Sequence, residues 1–177
     1  MDSDKIHRET FEDLAFFYRD TSLEEELISK YKTGLIINEL GFCDMSFKAG
    51  GLTGNLRFLI ASNNGKDLSI IDPELSKFGF ILLQSNSFYK ILDVYRLEDK
   101  TQILLLNISE NFIDYFRNSN SVDEENIISW ARKDFSEKIK SPVVEALVSE
   151  YWKERTEKPV GMYPFSMDPS GKINIIK

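Results

Sequence analysis

The sequence predicts an α+β fold: a mainly antiparallel sheet of about five strands flanked by N-terminal and C-terminal helices. Three observations predict it. Apolar residues recur at helical spacing up to about residue 40 and again after residue 109. Between these regions β-formers take over, broken by Gly, Asn and Asp turns. The links between the β segments are short, which favours antiparallel pairing.

Phe11, Leu14, Ala15 and Tyr18 fall at helical spacing behind Thr10 and Asp13, and predict a short helix over 10–19. Ser22 and Glu25 form a capping-box pattern ahead of Leu23, Leu27, Tyr31 and Leu35, predicting a second helix to about Leu40, stopped by Gly41. The sheet is expected from about 55 to 108. Leu56, Phe58 and Ile60 alternate with Arg57, Leu59 and Ala61, and Asn63-Asn64-Gly65-Lys66 is a turn after which 68–71 is expected to return as a hairpin partner. Asp72-Pro73-Glu74 opens a turn or a single helical turn before 78–83, an apolar run suited to a buried central strand. The clearest hairpin joins 88–97 to 101–108 across Glu98-Asp99-Lys100.

In the C-terminal third, Ser109 caps a brief helix through Phe116, and Ser121 with Glu124 makes a second capping box. The helix it starts carries Ile127, Ala131, Phe135 and Ile139 on one face. Pro142 opens a last predicted helix, with Val144, Leu147, Val148 and Tyr151 on its buried face, ended by Pro159. No repeat, low-complexity segment or linker divides the chain, so 1–177 reads as one domain with 1–9 frayed and 160–177 as a C-terminal tail.

Composition excludes more than it identifies. The net charge of -7 and the absence of a basic run argue against binding a nucleic-acid backbone. Cys43 is the only cysteine, which rules out an internal disulfide and a multi-cysteine zinc site and suits a reducing, cytoplasmic setting. His7, the only histidine, lies in a polar N-terminal segment, a poor place for a general base or metal ligand. With no signal-peptide pattern and no apolar stretch of membrane-spanning length, neither export nor a membrane is expected, and no metal or cofactor is called for.

The loop Lys48, Gly50, Gly51, Thr53, Gly54, Asn55 and Arg57 most resembles a ligand cradle, since closely spaced glycines let backbone N–H groups approach an anion. It leads into a strand rather than a helix and lacks the Gly-Lys-Ser/Thr element of a phosphate loop, so a structural connector outweighs a binding loop. Cys43 has an acidic neighbour and no basic one, which favours a packed, unreactive thiol. Asp93 lies in an apolar strand, either buried and paired, with Asp67 or Asp72 as carboxylate neighbours, or on a solvent side; the second is preferred.

Met162, Tyr163, Phe165 and Met167 make the tail sticky enough to fold over its own sheet, the preferred reading, or to occupy a groove on another chain. Trp130 and Trp152 lie near or beyond the apolar stripes and would anchor a partner. No catalytic set is visible. The leading expectation is therefore a non-enzymatic protein-interaction module (an adaptor, inhibitor, immunity-type protein or assembly component) whose partner is another protein or itself. The alternatives are a small-ligand-binding protein or enzyme using the loop 48–57, and a structural homo-oligomer in which helices 122–139 and 142–157 pair with their copies.

Overall fold

A computed structural model describes residues 3–162 and 171–176. Among them eight strands form one sheet: β1 (Ala15–Thr21), β2 (Ile36–Glu39), β3 (Cys43–Ser46), β4 (Leu56–Ser62), β5 (Lys66–Asp67), β6 (Phe80–Leu83), β7 (Ser87–Leu97) and β8 (Lys100–Ile108). Their spatial order is β2-β7-β8-β4-β1-β3-β6-β5. Every pairing is antiparallel except β4 with β8, which run parallel. The helices are α1 (Ser3–Thr10), α2 (Glu25–Ile28), α3 (Ile113–Asn118), α4 (Val122–Lys138) and α5 (Glu150–Thr156).

This corrects the expectation of about five mainly antiparallel strands: the sheet is mixed and has eight. The segment 10–19 is not a helix; α1 ends at Thr10 and β1 follows. Phe17 packs on one face of the sheet and Tyr18 on the other, so a strand covered on both sides presents an apolar run whose spacing also satisfies a helix. The predicted helix 22–40 shrinks to α2, whose N-cap is Glu24 with no side-chain cap, and its second half is β2. Residues 68–71 do not pair with β4. Leu68–Ile70 form a 3-10 turn capped by Asp67, while β5 pairs with β6, leaving both flanks of β4 to the distant β1 and β8. The run 78–83 yields β6, one strand from the sheet edge rather than central.

Other elements follow the sequence. The β7–β8 hairpin pairs from Phe88 with Ile108 to Leu97 with Lys100. Ser121 and Glu124 form the capping box of α4. The helix predicted from Pro142 is deferred: 145–148 is a 3-10 turn, and α5 begins only after Ser149 caps the amide of Trp152. Pro142 instead offers its carbonyl to Gly51 N–H at 3.1 Å.

Leu56, Phe58 and Ile60 of β4 face a core closed by Leu27 and Ile28 of α2 and by Val160 and Met162. Leu59 and Ala61 face a second core under Ile6 of α1, Phe116 of α3, and Ile127 and Ala131 of α4. A small third cluster joins Phe78, Phe80 and Trp152 at the β6 flank. The chain end also joins the sheet, with Asn38 N–H donating to Asn174 O at 3.0 Å and Ile176 N–H to Ile36 O at 2.9 Å. No helix among the described residues is long and apolar enough to cross a membrane.

Candidate functional site

The glycine-rich loop is fastened to its surroundings. A Cβ on Gly50 would stand 2.2 Å from the Pro142 carbonyl oxygen, and one on Gly54 2.2 Å from that of Thr21, so glycine is needed because backbone meets backbone. Arg57, fully buried, donates from Nε and Nη2 to both oxygens of Asp20 at 2.7 Å, and from Nη2 to Gly50 O at 2.9 Å. Burial disfavours its charge, but the hydrogen bonds and charge of Asp20 outweigh this and raise its pKa. Asn55 brackets Leu23, donating to its carbonyl at 2.8 Å and accepting from its amide at 3.0 Å. Lys48 Nζ reaches the carbonyls of Ser76 and Lys77. Three of the side-chain donors expected to meet a ligand thus hold the fold.

The loop nonetheless borders a cleft of about 220 Å³. Gly50, Gly51, Thr53 and Gly54 form one wall, and Asp20, Thr21 and Ser22 a second. Val144, Leu147 and Val148 make an apolar side, while Lys153, Thr156 and Glu157 close it from α5 and the residue after it. Asp20 is engaged by Arg57, which leaves Lys153 as the cation lining this cleft.

A second cleft, of about 460 Å³, lies across the same segment. Arg19, Arg155 and Lys158 line it together with Glu39 and Cys43. Arg19 projects from β1 and is 6% exposed. Its Nη1 and Nη2 each donate at 2.8 Å, to Asp44 O and Lys158 O, while Nε has no acceptor among the described residues. A buried guanidinium donor without an acceptor costs on the order of 1–3 kcal/mol, which an oxygen ligand would recover. The carboxylates here are already engaged. Glu39 accepts from the amides of Gly41 at 2.8 Å and Gly161 at 2.7 Å, and Asp44 pairs with Arg155 Nε at 3.1 Å. Burial pushes the Asp44 carboxyl above its ordinary range against the pull of Arg155 and Arg19.

Residues singled out by the sequence take other places. Cys43 is buried, and desolvation pushes its thiol up to about 12, so it is a poor nucleophile. Asp93 is not on a solvent side: it is 7% exposed and holds Arg132 through two hydrogen bonds of 2.8 Å, because α4 covers that face of β7. Asp67 and Asp72 cap the turns that follow them and are not its partners. His7, largely exposed, stands 3.6 Å from Asp123. Trp130 stacks on Phe16 with ring centroids 4.1 Å apart, whereas Trp152 is 2% exposed inside its own fold, a correction to its expected role as a partner anchor. Met162 is buried and bridges to Ile173; Tyr163, Phe165 and Met167 lie outside the described residues. Among the described residues no group of three or more His, Cys, Asp or Glu could hold a metal ion.

Arg19, Lys153, Arg155 and Lys158 were missed by sequence reasoning. For Arg19 a signal existed: an arginine directly after Phe16-Phe17-Tyr18 is conspicuous once that run is read as a strand.

No protein-family model matches the chain, and no curated protein matches its sequence. Among solved structures it is similar to the type III effector XopAI of Xanthomonas axonopodis pv. citri, at 13% identity over 58% of this chain and 44% of that one, TM-score 0.48. It is similar to the ADP-ribosyltransferase HopU1 of Pseudomonas syringae pv. Tomato, at 22% identity over 54% and 45%, TM-score 0.47. Exoenzyme S of Pseudomonas aeruginosa, solved with carba-NAD, is similar at 15% identity over 67% and 65%, TM-score 0.46. This chain therefore spans less than half of the first two and under two thirds of the third.

The expectation of a non-enzymatic interaction module finds no support among these neighbours, one of which is an ADP-ribosyltransferase. That expectation rested on a missing signature, and a signature is invisible when its donors come from separate elements such as β1 and the segment after α5. With TM-scores under 0.5, the likeness assigns this chain no activity.

Proposed function

We propose that this chain is a small-ligand-binding protein or enzyme that takes an anionic ligand, phosphate-bearing or carboxylate, in the clefts bounded by the glycine-rich loop and the C-terminal half of β1. The observation that carries the proposal is Arg19, a nine-tenths buried guanidinium whose Nε lacks an acceptor in a cleft that also presents Arg155 and Lys158. The carboxylates nearest these cations are already held by backbone amides or by Arg155, so the balance of unmet hydrogen bonding favours an incoming oxygen anion.

A thermal-shift panel of phosphate, pyrophosphate, sugar phosphates, nucleotides and dicarboxylates tests this. NAD belongs in the panel because carba-NAD accompanies exoenzyme S. A ligand at 100 times its Kd stabilises the native state by about 2.7 kcal/mol, a readily visible rise in Tm. The expected result is a shift with at least one anion that Arg19→Gln abolishes. Free nicotinamide appearing on incubation with NAD would separate an enzyme from a binder. If no anion shifts the wild-type protein, the proposal fails.

A further inference from the structure

Resting on that reading of the clefts, we infer that α5 is a strap that divides one larger ligand cleft in two and holds Arg19 in a partly engaged state. Lys153, Thr156 and Glu157 line the smaller cleft and Arg155 and Lys158 the larger, so the segment 153–158 is the wall between them. β1 passes beneath that wall, giving Arg19 to one side and Asp20 and Thr21 to the other.

The strap is held at few points. Trp152 is the one large apolar side chain of α5 that is buried; its ring stacks on Phe78 at 5.3 Å and meets Phe80 edge-on at 5.2 Å. Arg155 lies over Phe80 at 4.9 Å and pairs with Asp44. Beyond α5, Thr21 Oγ1 donates to Glu157 O at 2.9 Å and Arg19 Nη2 to Lys158 O at 2.8 Å. These last two bonds place β1 donors on carbonyls that α5 leaves unpaired at its C-terminal end. The chain is held on both sides of the strap, by the half-buried Ala146 and Leu147 of the 3-10 turn Glu145–Val148, packed against the Phe78 and Phe80 cluster, before it and by Val160, 1% exposed, after it. An element secured by one buried plug, with the half-exposed Tyr151 beside it on Phe78 at 5.2 Å, between two fixed points is suited to open locally without global unfolding. Opening would join the clefts and free Nη2 of Arg19 beside its unpartnered Nε, presenting the paired donors that grip an oxygen anion. An anion that binds the open form therefore competes with the Lys158 carbonyl for Arg19 and shifts the population toward the open strap.

The test compares the wild-type chain with Trp152→Ala, which empties the plug. Glu154→Pro is the second variant; it breaks α5 at an exposed position and leaves the aromatic slot intact. Hydrogen exchange and titration with inorganic pyrophosphate are read together. We expect amides of 150–158 to exchange at least about tenfold faster in both variants, with β4 and β8 unchanged, and pyrophosphate affinity to rise about tenfold. Adding Arg19→Gln to either variant should remove the gain. Faster exchange with wild-type affinity would overturn the strap while leaving the ligand reading intact; pyrophosphate binding by neither the wild type nor either variant would overturn both.

Discussion

The β4–β8 pair and the α5 flank are built on opposite principles. Leu56, Phe58 and Leu59 of β4 and Ile103, Leu104 and Leu105 of β8 are buried on both faces of the sheet, and α1, α3 and α4 seal one side while α2 and Val160 seal the other. The charge buried among these strands is paired: Arg57 holds both oxygens of Asp20, although its Nη1 has no acceptor among the described residues, and Lys90 is surrounded by Glu124 Oε1 at 2.8 Å and the Ser119 carbonyl at 2.6 Å. At the flank a small cluster of Phe78, Phe80 and Trp152, with Leu68, Leu75, Ala146 and Leu147 against it, stands in for a sealed layer, and the Arg19 donor without an acceptor borders a cleft. The difference teaches where stability and access are each placed: apolar area fixes the centre, while sparse polar contacts leave the margin able to respond.

The comparison breaks first if the two regions cost the same to damage. Phe58→Ala should destabilise the fold by about 4 kcal/mol in urea unfolding, as expected for a fully buried aromatic. Trp152→Ala should cost under about 2 kcal/mol globally, because α5 can detach while the centre stays folded. Equal losses would merge the flank with the core.

Next in size is the buried ion pair. Glu124→Gln strands the Lys90 ammonium, nine-tenths buried, and should cost on the order of 3 kcal/mol. The double variant Lys90→Met/Glu124→Gln should recover part of that, so a double-mutant cycle in the same denaturant assay measures the coupling.

The tyrosines sharpen the picture at high pH. Burial raises the hydroxyl pKa of Tyr18, Tyr31 and Tyr89 above the ordinary value of 10.0, with Asp134 adding to the rise at Tyr18, Glu39 at Tyr31, and Cys43 and Glu39 at Tyr89. A group whose folded pKa is raised stabilises the fold below its unfolded pKa and gives this up as pH climbs toward the folded value. Stability should therefore decline from about pH 10 upward. Tyrosinate absorbance from these three should appear with unfolding, not before it. The smallest effect is at Asp93: its partner Arg132 is half-exposed, so Asp93→Asn should cost about 1 kcal/mol or less at moderate salt, by thermal melt.

What the sequence made legible were features with local causes. The α4 capping box and the β7–β8 hairpin each follow from residues within a short stretch, whereas the unreactive Cys43 owes its raised pKa first to burial in the core. What it concealed depended on distant partners. β1 was disguised as a helix because both its faces are covered, and the parallel β4–β8 contact joins strands separated by β5, β6 and β7. The loop 48–57 was read as a connector more than a cradle, and the close approach of Gly50 to Pro142 gives the connector role its physical basis. The site fared worse, since Arg19, Arg155 and Lys158 come from β1, α5 and the segment beyond it, and only tertiary contact brings them together.

The central claim, that Arg19 offers an unmet donor to an anion, is tested most directly by the side-chain Nε–H resonances of the arginines during a pyrophosphate titration. The Arg19 Nε–H signal should shift and its exchange with water should slow, while that of Arg57, already bonded to Asp20, should stay in place. Saturable binding that left the Arg19 signal unmoved would contradict the account.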